Sequence, residues 1–124
     1  VSAIGKRVWV VAGGHVPLRS KGPEPEFTSR DELTILNAGG AEAEIEIAVH
    51  HPDRAPVEPY RLTVAARRLR KVRVNDLIFP EAVYLDADYG LVIRASHPVV
   101  VQFTRLDSEA GAASGFTTTA FPAG

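Results

Sequence analysis

Arg105 and Asp107 stand two positions apart in Val99-Val100-Val101-Gln102-Phe103-Thr104-Arg105-Leu106-Asp107-Ser108, an apolar run that turns abruptly polar and charged. In extended backbone such residues point to one side, so a buried strand delivers a guanidinium and a carboxylate together, with Gln102 close by. The planar fork of Arg105 suits a carboxylate or a vicinal diol. A structural Arg-Asp pair that pins the last turn is the competing account. A second constellation is Arg73-Val74-Asn75-Asp76-Leu77, where a cation, an amide and a carboxylate converge at a strand end. Convergent polar groups of this kind orient a sugar-like ligand in a cleft, although Asn75-Asp76 also reads as a simple turn in which Asp76 accepts from backbone amides. Glu24 and Glu26 form a third, in Gly22-Pro23-Glu24-Pro25-Glu26-Phe27. Pro23 and Pro25 stiffen the backbone and push their neighbours toward extended conformations, so both carboxylates face one way as an acceptor pair for hydroxyls or a cation. An exposed acidic loop, or ion pairing with Arg67 and Arg68, explains them as well. Trp9 is the single tryptophan, either a core aromatic whose indole N–H finds a backbone partner or a platform for a sugar ring.

These residues belong at strand ends or in loops, where a rigid sheet can hold them toward a common point. The expectation is that Glu24, Glu26, Asn75, Asp76, Arg105 and Asp107, with Trp9 and Gln102, gather in one concavity at an end of the fold. The occupant would be a neutral polyol or sugar acid, with no metal and no cofactor. Other chemistries find little support. There is no cysteine, which removes thiolate sites and cysteine nucleophiles. The adjacent His50 and His51 would point to opposite faces of a strand and Pro52 enforces a turn, which does not make a metal site. Serine-hydrolase and phosphate-loop signatures are absent. Glycosidase chemistry through Glu24 with Asp76 or Asp107 is the enzyme alternative; the preferred reading is non-enzymatic.

The elements that position these groups are strands. From Ala41 to His50, Ala43, Ile45, Ile47 and Val49 alternate with Glu42, Glu44, Glu46 and Ala48, the pattern of a half-buried strand. The same period recurs in Leu33 to Asn37, Tyr60 to Val64 and Leu69 to Val74, each bounded by turn residues. Val8 to Ala12 and Val99 to Phe103 are continuous apolar runs that suit central strands, and Phe116 to Phe121 supplies a last one. Asp107 to Ser114 is interrupted by Gly111 and reads as a loop or single turn. The chain is therefore an all-β antiparallel sandwich of about eight strands with Greek-key-like connections, a single domain over residues 1–124. The expected core comprises Val8, Val10, Ile35, Ile45, Ile47, Val49, Leu62, Val64, Val72, Val74, Ile93, Val99 and Val101.

A formal net charge of −1 over 124 residues argues against general nucleic-acid binding, which rests on phosphate neutralisation. The charge is unevenly spread: Arg61, Arg67, Arg68, Arg70, Lys71 and Arg73 follow an acidic stretch from Glu24 to Glu46. Complementary faces suit self-assembly or an acidic partner. If Leu69 to Val74 is a strand, neither of its faces is cleanly apolar, as on an edge strand or subunit contact; Arg67, Arg68 and Arg70 are the residues expected near one. No apolar stretch long enough to span a bilayer appears and the start lacks a signal-peptide core, so the expected location is the cytoplasm.

Taken in order, Trp9, Pro17, Gly22 to Phe27, Ile35-Leu36-Asn37-Ala38-Gly39, Pro59-Tyr60-Arg61-Leu62-Thr63-Val64, Ala66-Arg67-Arg68, Arg73 to Leu77 and Val99 to Ser108 make the sequence resemble the family of small soluble sensory rhodopsin transducers. The resemblance covers nearly the whole chain. It implies a non-enzymatic, all-β cytosolic protein that assembles into homo-oligomers, here a tetramer, and in some members partners the cytoplasmic face of a microbial rhodopsin. It also implies a wider group binding small, sugar-like molecules in a pocket. The chain departs from the pattern at His15, where an aromatic is expected, and in the Ala/Gly-rich tail after Ser108. A ligand-binding module unrelated to photoreception is the alternative from a different class.

Overall fold

Period-two alternation governs burial wherever it is strong. Along β3 (Ala43–His50), Ala43, Ile45, Ile47 and Val49 are buried while Glu44 and Glu46 are exposed, because successive side chains leave opposite faces of a pleated strand. The computed structural model describes residues 3–15, 30–83, 88–107 and 114–124. Its other strands are β1 (Lys6–His15), β2 (Arg30–Asn37), β4 (Val57–Val64), β5 (Arg68–Arg73), β6 (Asp88–Asp107), β7 (Ser114–Thr119) and β8 (Phe121–Pro122), with a 3-10 turn at Val74–Asp76. All described pairings are antiparallel. No helix among the described residues is long and apolar enough to cross a membrane.

Two layers share one strand. The first sheet runs β4-β3-β6-β1-β8 and the second β5-β2-β6-β7. Residues 88–99 of β6 pair in the first sheet and residues 100–107 in the second, so the strand turns a corner near Pro98, whose missing N–H suits a break in the ladder. Opposite the corner the two halves meet again, since the Tyr89 hydroxyl reaches Asp31, the register partner of Arg105. At the corner Gly5 has φ of +100°, and a Cβ there would lie 2.2 Å from the Val99 carbonyl oxygen; only glycine fits that approach.

Between the layers lie Trp9, Val11, Leu33, Ile35, Ile45, Ile47, Val49, Tyr60, Leu91, Ile93, Val99, Val101 and Phe103. Nine of the thirteen expected core residues are buried; Val8, Val10, Leu62 and Val72 are only half-buried. On β1 this is a correction of face. Trp9 and Val11, not Val8 and Val10, point inward, because an unbroken apolar run carries no alternation to fix its register. Asp88 to Pro98, where the expected core residue Ile93 is buried, belongs to the longest described strand. The segment Asp107 to Ser114 read as a loop is described only at its two ends, each in a strand. β5 is the edge of the second sheet, with Arg68, Leu69, Arg70 and Lys71 exposed, matching the mixed faces of its sequence.

Candidate functional site

β2 carries a buried polar residue at each end of its inward face, Asp31 and Asn37, with Leu33 and Ile35 between them. Asp31 lies at the end of the sandwich away from the corner. Its Oδ2 accepts a hydrogen bond from the Tyr89 hydroxyl at 2.5 Å and its Oδ1 one from Arg105 Nε at 3.2 Å. The carboxylate is wholly buried whereas Arg105 keeps about a quarter of its side chain exposed, at 27%. A buried carboxylate is tolerable only when it is paired and hydrogen-bonded, and both conditions are met. Tyr89 comes from the first-sheet half of β6 and Asp31 and Arg105 from the second sheet, so the cluster ties the layers together.

Burial pushes the Tyr89 phenol well above the ordinary tyrosine range; the Asp31 charge and its hydrogen bond add to this, and Arg105 opposes it. The folded state therefore holds this proton longer than the unfolded chain. The sign follows: the contribution is complete below the unfolded phenol pKa of about 10 and is withdrawn as pH rises beyond it. We expect alkaline destabilisation above about pH 10 to be distinctly shallower in Tyr89→Phe, measured as denaturation midpoint against pH; an unchanged slope would count against Tyr89 as its source. Tyr60 contributes a residual slope, its phenol raised by burial and then by Glu81, with Arg54 opposing.

The other predicted positions divide. Asp76 is exposed at the same end of the second sheet, 3.7 Å from Arg73 Nε, so that cation and carboxylate do converge. Asn75 lies beside it in the 3-10 turn, its side chain outside the described residues, as is that of Asp107 at the end of β6. Glu24 and Glu26 also fall outside the described residues. Gln102 is exposed on the opposite face of β6 from the inward Val101 and Phe103. Trp9 is buried near the corner, its indole N–H donating to the Lys6 and Val99 carbonyls at 3.0 Å each. Neither Gln102 nor Trp9 is brought to the Arg105 end. Arg67, Arg68 and Arg70 are exposed; Arg67 has φ of +54° in the connection between β4 and β5, and Arg70 Nη1 donates to the Thr63 carbonyl at 2.7 Å across the gap between these strands.

Asp31 and Tyr89 are absent from the predicted set. One signal was available: stepping back by two from Ile35 through Leu33 lands on Asp31, which marks an inward carboxylate in need of partners.

The model of the family described as Anabaena sensory rhodopsin transducer matches residues 4–122. The chain belongs to the sensory rhodopsin transducer family. The solved structure of the Anabaena sensory rhodopsin transducer is 45% identical and superimposes with a TM-score of 0.76, covering 83% of this chain and 99% of its own. The crystal structure of Thermotoga maritima 1070 is 25% identical, with a TM-score of 0.81 and coverage of 97% of each chain. No curated protein matches. The family match establishes the sandwich as that of the transducers and the chain as a transducer-like protein.

Proposed function

We propose that the protein is a non-enzymatic adaptor that relays the state of a microbial sensory rhodopsin through protein contacts on the cytoplasmic side, working as a homo-oligomer. The observation that carries this reading is the family match over residues 4–122 together with 45% identity to a protein named as such a transducer. The polar cluster supports it in kind. The carboxylate of Asp31 is engaged by Tyr89 and Arg105 inside the fold, an arrangement that stabilises a scaffold. A sugar-like ligand held by Glu24, Glu26, Asn75, Asp76, Arg105 and Asp107 is the finer alternative; Arg105 would have to serve Asp31 and the ligand at once.

The test is binding to a purified microbial sensory rhodopsin in lipid nanodiscs, dark and illuminated, by thermophoresis. The expected result is a complex at micromolar concentration whose affinity changes with light and which empty nanodiscs do not form. Equal signals from loaded and empty nanodiscs would overturn the proposal. Calorimetry with sugar acids, comparing wild type with Arg105→Ala, separates the ligand reading.

A further inference from the structure

The sandwich is open on the side where β4 edges the first sheet and β5 the second. A groove of ≈ 520 Å³ lies there, lined among others by Arg61 of β4, by Arg70, Lys71 and Arg73 of β5, and by Ile78 and Phe79. Its carboxylates are Glu32 and Asp76, so four cations face two acids. Two ion pairs made by its cations are long and exposed: Arg61 lies 3.5 Å from Glu46 and Arg73 lies 3.7 Å from Asp76. Such pairs contribute little and exchange readily for another carboxylate. Lys71 makes no ion pair among the described residues. Ile78 is 71% exposed and Phe79 83%, a large apolar surface for a water-facing segment.

We infer that this groove receives an extended acidic peptide segment that pairs with the open edge of β5 and seats an apolar side chain against Ile78 and Phe79. The register of β5 argues for a strand. Arg70 lies opposite the buried Ile35, on the inward side, while Lys71 and Arg73 lie opposite Thr34 and Glu32, on the other. Among the described residues β5 pairs with β2 alone, the kind of edge to which strand addition attaches a peptide. A strand laid along it would send side chains alternately to both faces, and carboxylates on one face, opposite Lys71 and Arg73, would make favourable cross-strand pairs while apolar side chains take the other. The same cations repel a basic strand, including another copy of β5, which gives the edge its selectivity. Convergence of cations and Phe79 into one concavity fits a peptide better than a flat bilayer surface. The inference does not depend on a rhodopsin being the upstream partner.

The experiment uses the full chain and a short fluorescein-labelled peptide in which Glu alternates with Val, read by fluorescence anisotropy. The control peptide has Lys in place of Glu, and phosphatidylglycerol vesicles form a third arm. The expected result is saturable binding of the Glu peptide alone, weakening as salt rises. Lys71→Glu and Phe79→Ser should each lose about tenfold in affinity, both positions being exposed and neither altering the melting temperature. Equal binding of the Lys peptide, indifference to both substitutions, absence of Glu-peptide binding, or binding to vesicles alone would each overturn the inference.

Discussion

Replacing Asp31 by Ala is expected to lower unfolding free energy by about 3 kcal/mol at neutral pH. Two groups lose their acceptor at once: the Tyr89 hydroxyl, in a residue 3% exposed, and Arg105 Nε. Breaking one side of a buried charged pair costs more than the pair itself contributes, because the remaining partner is left desolvated and unmatched. Arg105 can turn partly toward water, which places the value at the low end of that range. Asp31→Asn keeps the volume and one acceptor oxygen, so it should cost about half as much. Urea denaturation with an unchanged m-value would measure both. A loss below about 1 kcal/mol for Asp31→Ala would mean that the layers are not tied through this carboxylate.

The failure to anticipate that tie has a physical cause. The sequence presents Arg105 two residues from Asp107, and local spacing makes that the natural pair. The partner found in the fold is 74 residues away, brought in because β2 and the second half of β6 lie side by side with Asp31 opposite Arg105. Register between distant strands is a property of the whole sandwich, and no local pattern encodes it. Asp31 also sits in an acidic stretch, Arg30-Asp31-Glu32, where burial is the less expected fate for either carboxylate.

What was legible is where alternation is strong. Leu33 and Ile35 on β2, Ile45, Ile47 and Val49 on β3, and Val64 on β4 are buried as their spacing requires. Illegibility begins where the pattern is either too uniform or too broken. Val8-Trp9-Val10-Val11 is apolar on both faces, so the inward set had to be chosen by packing; the indole won because its N–H finds the Lys6 and Val99 carbonyls at the corner. In Asp88 to Pro98, Gly90, Arg94 and the Ser96-His97-Pro98 run disguise a strand whose inward residues, Tyr89, Leu91, Ile93 and Ala95, nevertheless keep a strict two-residue period.

Asn37, at the other end of β2, gives the last prediction. Its Nδ2 donates to the carbonyls of Ala41, Val64 and Ala65 at 2.8, 3.1 and 3.3 Å, and its Oδ1 accepts from the Gly39 N–H at 3.0 Å. One wholly buried amide thus closes the β2–β3 turn onto the end of β4. Asn37→Ala should cost about 2–3 kcal/mol, nearly independent of pH, by leaving buried carbonyls unpaired. Asn37→Asp is almost isosteric but turns an acceptor toward acceptors, and when ionised it faces those carbonyls with only the Gly39 N–H, on its other oxygen, to offset them. Its neutral acid, by contrast, can donate one hydrogen bond. The folded state therefore favours the protonated form and raises this carboxyl's pKa above its unfolded value of about 4. The deficit relative to wild type should be smallest below about pH 4 and grow as pH rises toward 7, reaching about 4 kcal/mol. Melting temperatures of wild type and both variants across that interval make the comparison, and a flat difference for Asn37→Asp, equal to that of Asn37→Ala, would show that the donor side of the amide is not what holds this end of the sandwich closed.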